Sequence, residues 1–255
     1  MKKLLQILNI LAFGAMIYVN YLSNSLPING KTPGEISDSF PNLFVPAGIT
    51  FSIWGLIYLF LLGFLIYQSK DLFKYPQDST PWFSKIGPFF LLTCIANITW
   101  IFSWHYHYVE ISVGVMVSFL VLLIIIYQRL GIGQSVVSSG VKWFVHTPFS
   151  IYLGWITVAT IANVTALLVS INWDGFGISE IFWTVGMIFI ATLIGQKMLN
   201  SRGDIAYSLV LIWAFAGIIL KQKGVEQNIV IAASIGTVLI LLSLLPILIR
   251  TIRGR

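Results

Sequence analysis

Residues 44–68 read FVPAGITFSIWGLIYLFLLGFLIYQ, 25 residues without a charge. A run of that length crosses a hydrocarbon core of about 30 Å as a helix, at about 1.5 Å per residue. In lipid every backbone N–H and C=O must be satisfied within the protein, which leaves only helices and closed barrels. Seven further apolar runs, at about 4–22, 86–105, 109–128, 147–171, 179–196, 205–220 and 228–249, repeat the pattern. They are continuous and not alternating ten-residue segments, so they read as helices and not barrel strands. The chain is 57% hydrophobic and only 9% charged, against about 25% charged residues in soluble domains. The expected fold is an all-α, polytopic integral membrane helical bundle of about eight transmembrane helices. The run at 205–220 is the shortest and the least certain to cross.

The 15 Lys and Arg residues bracket the apolar runs instead of forming a patch, which fits a topogenic role and not a nucleic-acid surface. With both termini cytoplasmic, Lys31, Lys221 and Lys223 fall outside and the other 12 inside, the bias expected of an even number of spans. The start MKKLLQILNILAFGAM resembles a signal peptide but lacks a clean small-x-small cleavage site, so it reads as a retained first span. The first connection, about 23–43, then lies outside; it reads either as a lid over the bundle mouth or as a plain surface loop. Pro27 and Pro33 in this loop, and Pro76 and Pro81 in the next, mark the breaks.

Chemistry is sparse. All nine carboxylates (Glu35, Asp38, Asp71, Asp78, Glu110, Asp174, Glu180, Asp204 and Glu226) fall in loops or at span ends. That weighs against pumps and strongly ion-coupled transporters, whose pathways carry intramembrane charge. It also weighs against intramembrane hydrolysis, which needs a nucleophile and base, a carboxylate pair or a metal. Cys94 is the only cysteine, so neither an intramolecular disulfide nor a cysteine cluster is expected. His105 and His107 point about 200° apart on a helix and cannot share a metal. They read as interfacial polar residues, with an axial haem ligand as the functional alternative.

Aromatic and amide residues do line up. Trp54 sits near the middle of its span, whereas membrane tryptophans gather at the headgroups, so its N–H needs a partner in protein or ligand. Phe51, Trp54 and Tyr58 follow i, i+3, i+7 spacing and share one helix face. Asn97, Trp100 and Trp104 repeat that spacing on the third span, and Tyr152, Trp155, Ala159 and Asn163 form a similar stripe on the fifth. Buried amides need partners on neighbouring helices or on a ligand. Each stripe by itself is more often a helix contact than a ligand box. Pro46 and Gly48 are expected to open the first turn of the second span and free carbonyls there.

At these residues the chain resembles the TspO/MBR family of tryptophan-rich sensory proteins, which includes the mitochondrial translocator protein. Residues 46–58 (PAGITFSIWGLIY) are similar to the family's second-span segment, 97–100 (NITW) to its Asn-x-x-Trp, and 152–155 (YLGW) with Asn163 to its Trp followed eight residues later by Asn. The paired prolines of the family are reduced here to Pro46, and its fifth-span proline is displaced to Pro148. The resemblance covers about residues 4–171. It implies a TspO-like five-helix core over residues 1–171 and a three-helix extension over 172–255.

The resemblance further implies a pocket for a tetrapyrrole, a porphyrin or haem, and no firmly bound cofactor. Trp54, Trp100 and Trp155 are then the expected walls, Tyr58, Asn97 and Asn163 the anchors, and Phe51, Trp104 and Tyr152 their neighbours. Stacking on a macrocycle contributes on the order of 1 kcal/mol per ring. Binding and sensing ranks first, a permease for an apolar or amphipathic molecule second, and light-dependent porphyrin breakdown third. Membrane lipid and a hydrophobic small molecule are the expected partners. A homodimer is left open, since Ala162 and Ala166 fit packing within or between chains.

Overall fold

The computed structural model describes residues 2–26, 28–72 and 81–253; Pro27, Lys74, Pro76, Asp78 and Arg255 lie outside the described residues. Among these residues eleven α-helices follow one another: α1 Lys2–Ser25, α2 Pro33–Asp38, α3 Ile53–Gln68, α4 Phe83–Ile86, α5 Phe89–His105, α6 Val109–Leu130, α7 Ser139–Val141, α8 Thr147–Ser170, α9 Glu180–Arg202, α10 Ile205–Gln222 and α11 Gln227–Arg253. No strand occurs among the described residues. Among the described residues seven helical segments are long and apolar enough to cross a membrane, and the chain is a multi-pass membrane protein. The eighth apolar helix, α5, has 17 residues and reaches about 25 Å. The run at 205–220 becomes the 18-residue α10 and meets the requirement, so the shortest span is the third and not the seventh.

α8 is the central post of the bundle. Every residue from Pro148 to Ile156 is buried, which is why no polar face shows in its sequence. A single π-helical turn, Lys142–His146, leads into it. Pro148 has no N–H for the carbonyl four residues back, and its ring presses on that carbonyl. The widened turn lets Thr147 N–H bond the Lys142 carbonyl instead.

The two ends of the bundle differ. At one end Lys221 pairs with Asp38, Leu43 N–H donates to Glu180 Oε1 at 2.7 Å, and Gln222 Nε2 donates to the Leu43 carbonyl at 3.2 Å. At the other, Gln6 Nε2 donates to the Gln68 carbonyl at 2.6 Å, and Arg202 reaches the Ile132 carbonyl. The first may be called the lid end and the second the basic end. Cys94 is free and buried.

The first connection is a lid. Its own Ile36 and the adjoining Phe44 are fully buried, Trp104 Nε1 donates to the Pro33 carbonyl at 3.2 Å, and Asn29 Nδ2 donates to the His105 carbonyl at 2.9 Å. A capping box starts α2: Glu35 Oε2 accepts from Thr32 N–H at 2.7 Å and from its hydroxyl at 2.8 Å. The bond from the Thr32 backbone, more than that from its hydroxyl, holds the Glu35 carboxyl below the usual carboxylate range. Its contribution is complete above the unfolded carboxylate pKa and is lost as pH falls through the depressed folded value. Amide exchange across residues 33–38 should therefore accelerate between about pH 5 and pH 3, beyond the intrinsic chemical dependence. Exchange that follows the intrinsic rate alone would show that the cap does not hold α2.

Candidate functional site

Under the lid, the three aromatic stripes meet. α3 follows a 3₁₀ segment, Gly48–Ser52, which the Pro46–Gly48 stretch leads into as expected. The opened turn is used by the last part of the chain: Trp213 Nε1 donates to the Thr50 carbonyl at 2.9 Å, and Ala47 N–H donates to the Gly217 carbonyl at 3.0 Å. This seats Phe51 and Trp54. Trp54 lies 6.3 Å from Trp100 of α5 and 6.2 Å from Trp155 of α8, centroid to centroid, and stacks on Tyr58 at 5.6 Å. Phe51 meets Trp155 edge-on at 5.9 Å, Trp100 stacks on Trp104 at 5.9 Å, and Tyr152 meets Trp54 edge-on at 6.1 Å.

The amides are placed less freely than their spacing suggests. Asn163 Oδ1 accepts from Trp100 Nε1 at 3.1 Å and its Nδ2 donates to Ser112 Oγ at 2.8 Å. Asn97 Oδ1 accepts from Asn20 Nδ2 at 2.7 Å, which ties α5 to α1. Three buried polar atoms of the cluster have no hydrogen-bond partner among the described residues: Tyr58 Oη, Asn97 Nδ2 and Trp155 Nε1. The indole N–H of Trp54 likewise donates to no described residue. The void that Trp54, Trp100, Trp104, Trp155 and Asn163 enclose is about 30 Å³, room for one water. In this conformation the rings fill their own box.

Other residues were not singled out by spacing. Asn20 belongs to a stripe on α1 (Gln6, Asn9, Phe13, Met16, Asn20) that is buried throughout, and its i, i+3, i+7 repeat was there to be read. His105 is fully buried, with Nδ1 2.7 Å from the Ile101 carbonyl, so only the exposed His107 is interfacial. Trp183 Nε1 donates to the Gly175 carbonyl at 3.0 Å. Ala166 is buried, and Ala162 lines the box void, so both pack within the chain. Residues 202–204 make the turn between two helices: Gly203 ends α9 at φ 61° and Asp204 starts α10. Among the described residues no cluster of metal-ligating side chains occurs.

The bundle, lid and ring cluster together define a multi-pass helical membrane protein with an aromatic box between its second, third and fifth spans. The chain belongs to the TSPO-like protein family, whose model matches residues 6–246. That match runs through α9, α10 and most of α11 as well as the helices before them. Comparisons with curated proteins and with solved structures returned no match.

Proposed function

We propose that this TSPO-like protein is a membrane-embedded binding protein for a flat hydrophobic ligand, held in the aromatic box beneath the lid, with both termini in the cytoplasm. One observation carries the reading: rings from three helices converge on a void lined by Trp155, whose buried Nε1 lacks a partner among the described residues. An unpaired buried donor costs about 1–3 kcal/mol, and a ligand acceptor would remove that penalty. Tetrapyrroles are the class the family suggests. With about 30 Å³ of void, the closed box does not fit one, since small-molecule pockets measure about 300–1,000 Å³. Binding therefore requires the lid and rings to move apart.

The test is a titration of the full chain in detergent with protoporphyrin IX, followed by tryptophan quenching. Trp155→Phe keeps the ring plane and removes the free donor, and about tenfold weaker binding is expected. Trp54→Ala removes the ring that contacts Trp100, Tyr152 and Trp155, and a larger loss is expected. Unchanged affinity in both folded variants would remove the box as the site.

A further inference from the structure

A second cavity lies outside the aromatic box, between α3 and α10, with the start of α8 as its floor. Its volume is about 970 Å³, the upper end of the range for small-molecule sites. Its shape follows from how the two helices meet. They are fastened on the lid side by the Ala47–Gly217 and Trp213–Thr50 hydrogen bonds, and the cavity runs from Trp213 to Lys142, Arg202 and His146 at the basic end. Leu56, Leu209 and Trp213 line it while staying 45%, 50% and 40% exposed, so the groove opens sideways to lipid.

The lining is graded in polarity. Leu56, Phe60, Leu209 and Trp213 form its inner part, and Lys142, Arg202 and His146 its basic end. Asp204 also reaches this end, but its carboxylate oxygens accept from Ser150 Oγ at 2.7 Å, Tyr127 Oη at 2.8 Å and Tyr207 N–H at 3.1 Å. Among the described residues Lys142 has no ion-pair partner, and Arg202 makes one hydrogen bond, to the Ile132 carbonyl at 3.3 Å, and lies over the Tyr127 ring at 5.7 Å, with no carboxylate paired to it. Positive charge therefore exceeds negative at this mouth. His146 supplies an independent observation. It is only 7% exposed and lines the cavity, yet its ring nitrogens make no hydrogen bond to any described residue. It also ends the π-helical turn, a distortion often found at functional sites.

We propose that this groove holds an anionic phospholipid of the surrounding bilayer. Its headgroup is received by Lys142, Arg202 and His146, and its acyl chains lie along Leu56, Phe60, Leu209 and Trp213. Depth agrees with this occupant. From Ile205 to Trp213 α10 rises about 12 Å, close to the half-thickness of a hydrocarbon core, about 15 Å. A lipid with its headgroup at the α10 N-terminus thus places its chain ends near Trp213.

Native mass spectrometry of the delipidated full chain tests the proposal, with phosphatidylglycerol and phosphatidylcholine of identical acyl chains supplied in equal amounts. The expected result is preferential phosphatidylglycerol adducts, weakened about fivefold for each cation removed in Lys142→Gln and Lys142→Gln/Arg202→Gln. Ala206→Trp, which fills the groove wall without touching charge, should reduce adducts of both lipids. Should Arg202→Gln fail to fold, Lys142→Gln and Ala206→Trp still decide the matter. Equal retention of the two lipids by the unmodified chain overturns the proposal. So does preference unaltered by Lys142→Gln, or adducts undiminished by Ala206→Trp.

Discussion

Asp204→Ala is expected to lower the stability of the folded chain by about 3–5 kcal/mol, the loss of a charged acceptor with several buried donors together with a helix cap. Its carboxylate joins three elements. Tyr127 from α6 and Ser150 from α8 donate to Oδ2, and the Tyr207 N–H in the first turn of α10 donates to Oδ1. With alanine, two buried hydroxyls lose their acceptor and α10 loses its N-terminal cap. Asp204→Asn should cost much less, about 1 kcal/mol. The amide oxygen still caps α10, and hydroxyls can turn to accept from the amide nitrogen. Thermal unfolding in mild detergent, followed by near-ultraviolet circular dichroism, measures both. If the two variants melt alike, the directional network is not what holds these helices.

Gly217→Ala is expected to destabilise by about 3 kcal/mol, the upper part of the overpacking range, and to weaken ligand binding in the aromatic box. A Cβ at Gly217 would lie 2.0 Å from Thr50 Oγ1 and 2.9 Å from Pro46 Cβ. Neither neighbour yields easily: one is a proline ring and the other a β-branched side chain inside the 3₁₀ segment. α10 must then withdraw, which strains the Ala47–Gly217 and Trp213–Thr50 hydrogen bonds. The segment it releases carries Phe51 and leads directly to Trp54. Gly186→Ala, in α9 with nothing within 4 Å of the added carbon, serves as the contrast and should be neutral or stabilising by a few tenths of a kcal/mol to about 1. Equal stability and equal porphyrin quenching in the two variants would show that the α3–α10 contact does not support the box.

Much of the box was legible because i, i+3, i+7 spacing fixes a helix face whatever surrounds it. Phe51, Trp54 and Tyr58 had to point one way, and so did Asn97, Trp100 and Trp104. What spacing does not carry is the space left over. The rings approach to centroid distances of 5.6–6.3 Å and close the void, and Asn163 is bound to Trp100 and Ser112. Inward faces were hard to read on the spans because nearly every residue there is apolar, so no polar side exists to mark the outside. α8 is the extreme case, buried without a break from Pro148 to Ile156. Asp204 lies at a span end in sequence, as expected, yet it is 6% exposed. Only the approach of Tyr127 and Ser150 made that burial tolerable.

Sequence by itself determined the class of the protein. An uncharged run of 25 residues has no stable course in lipid except one that satisfies its own backbone, and repetition of such runs makes a helical bundle. It also determined which side chains share a face, since 3.6 residues per turn is a local property. Tertiary structure decided which faces meet, and with what gap. The first connection folded into a lid, α10 came to rest on the opened turn before α3, the aromatic box closed, and a groove stayed open between α3 and α10. These outcomes depend on contacts between residues far apart in the chain, such as Trp54 with Trp100 and Thr50 with Trp213, and no local periodicity encodes them.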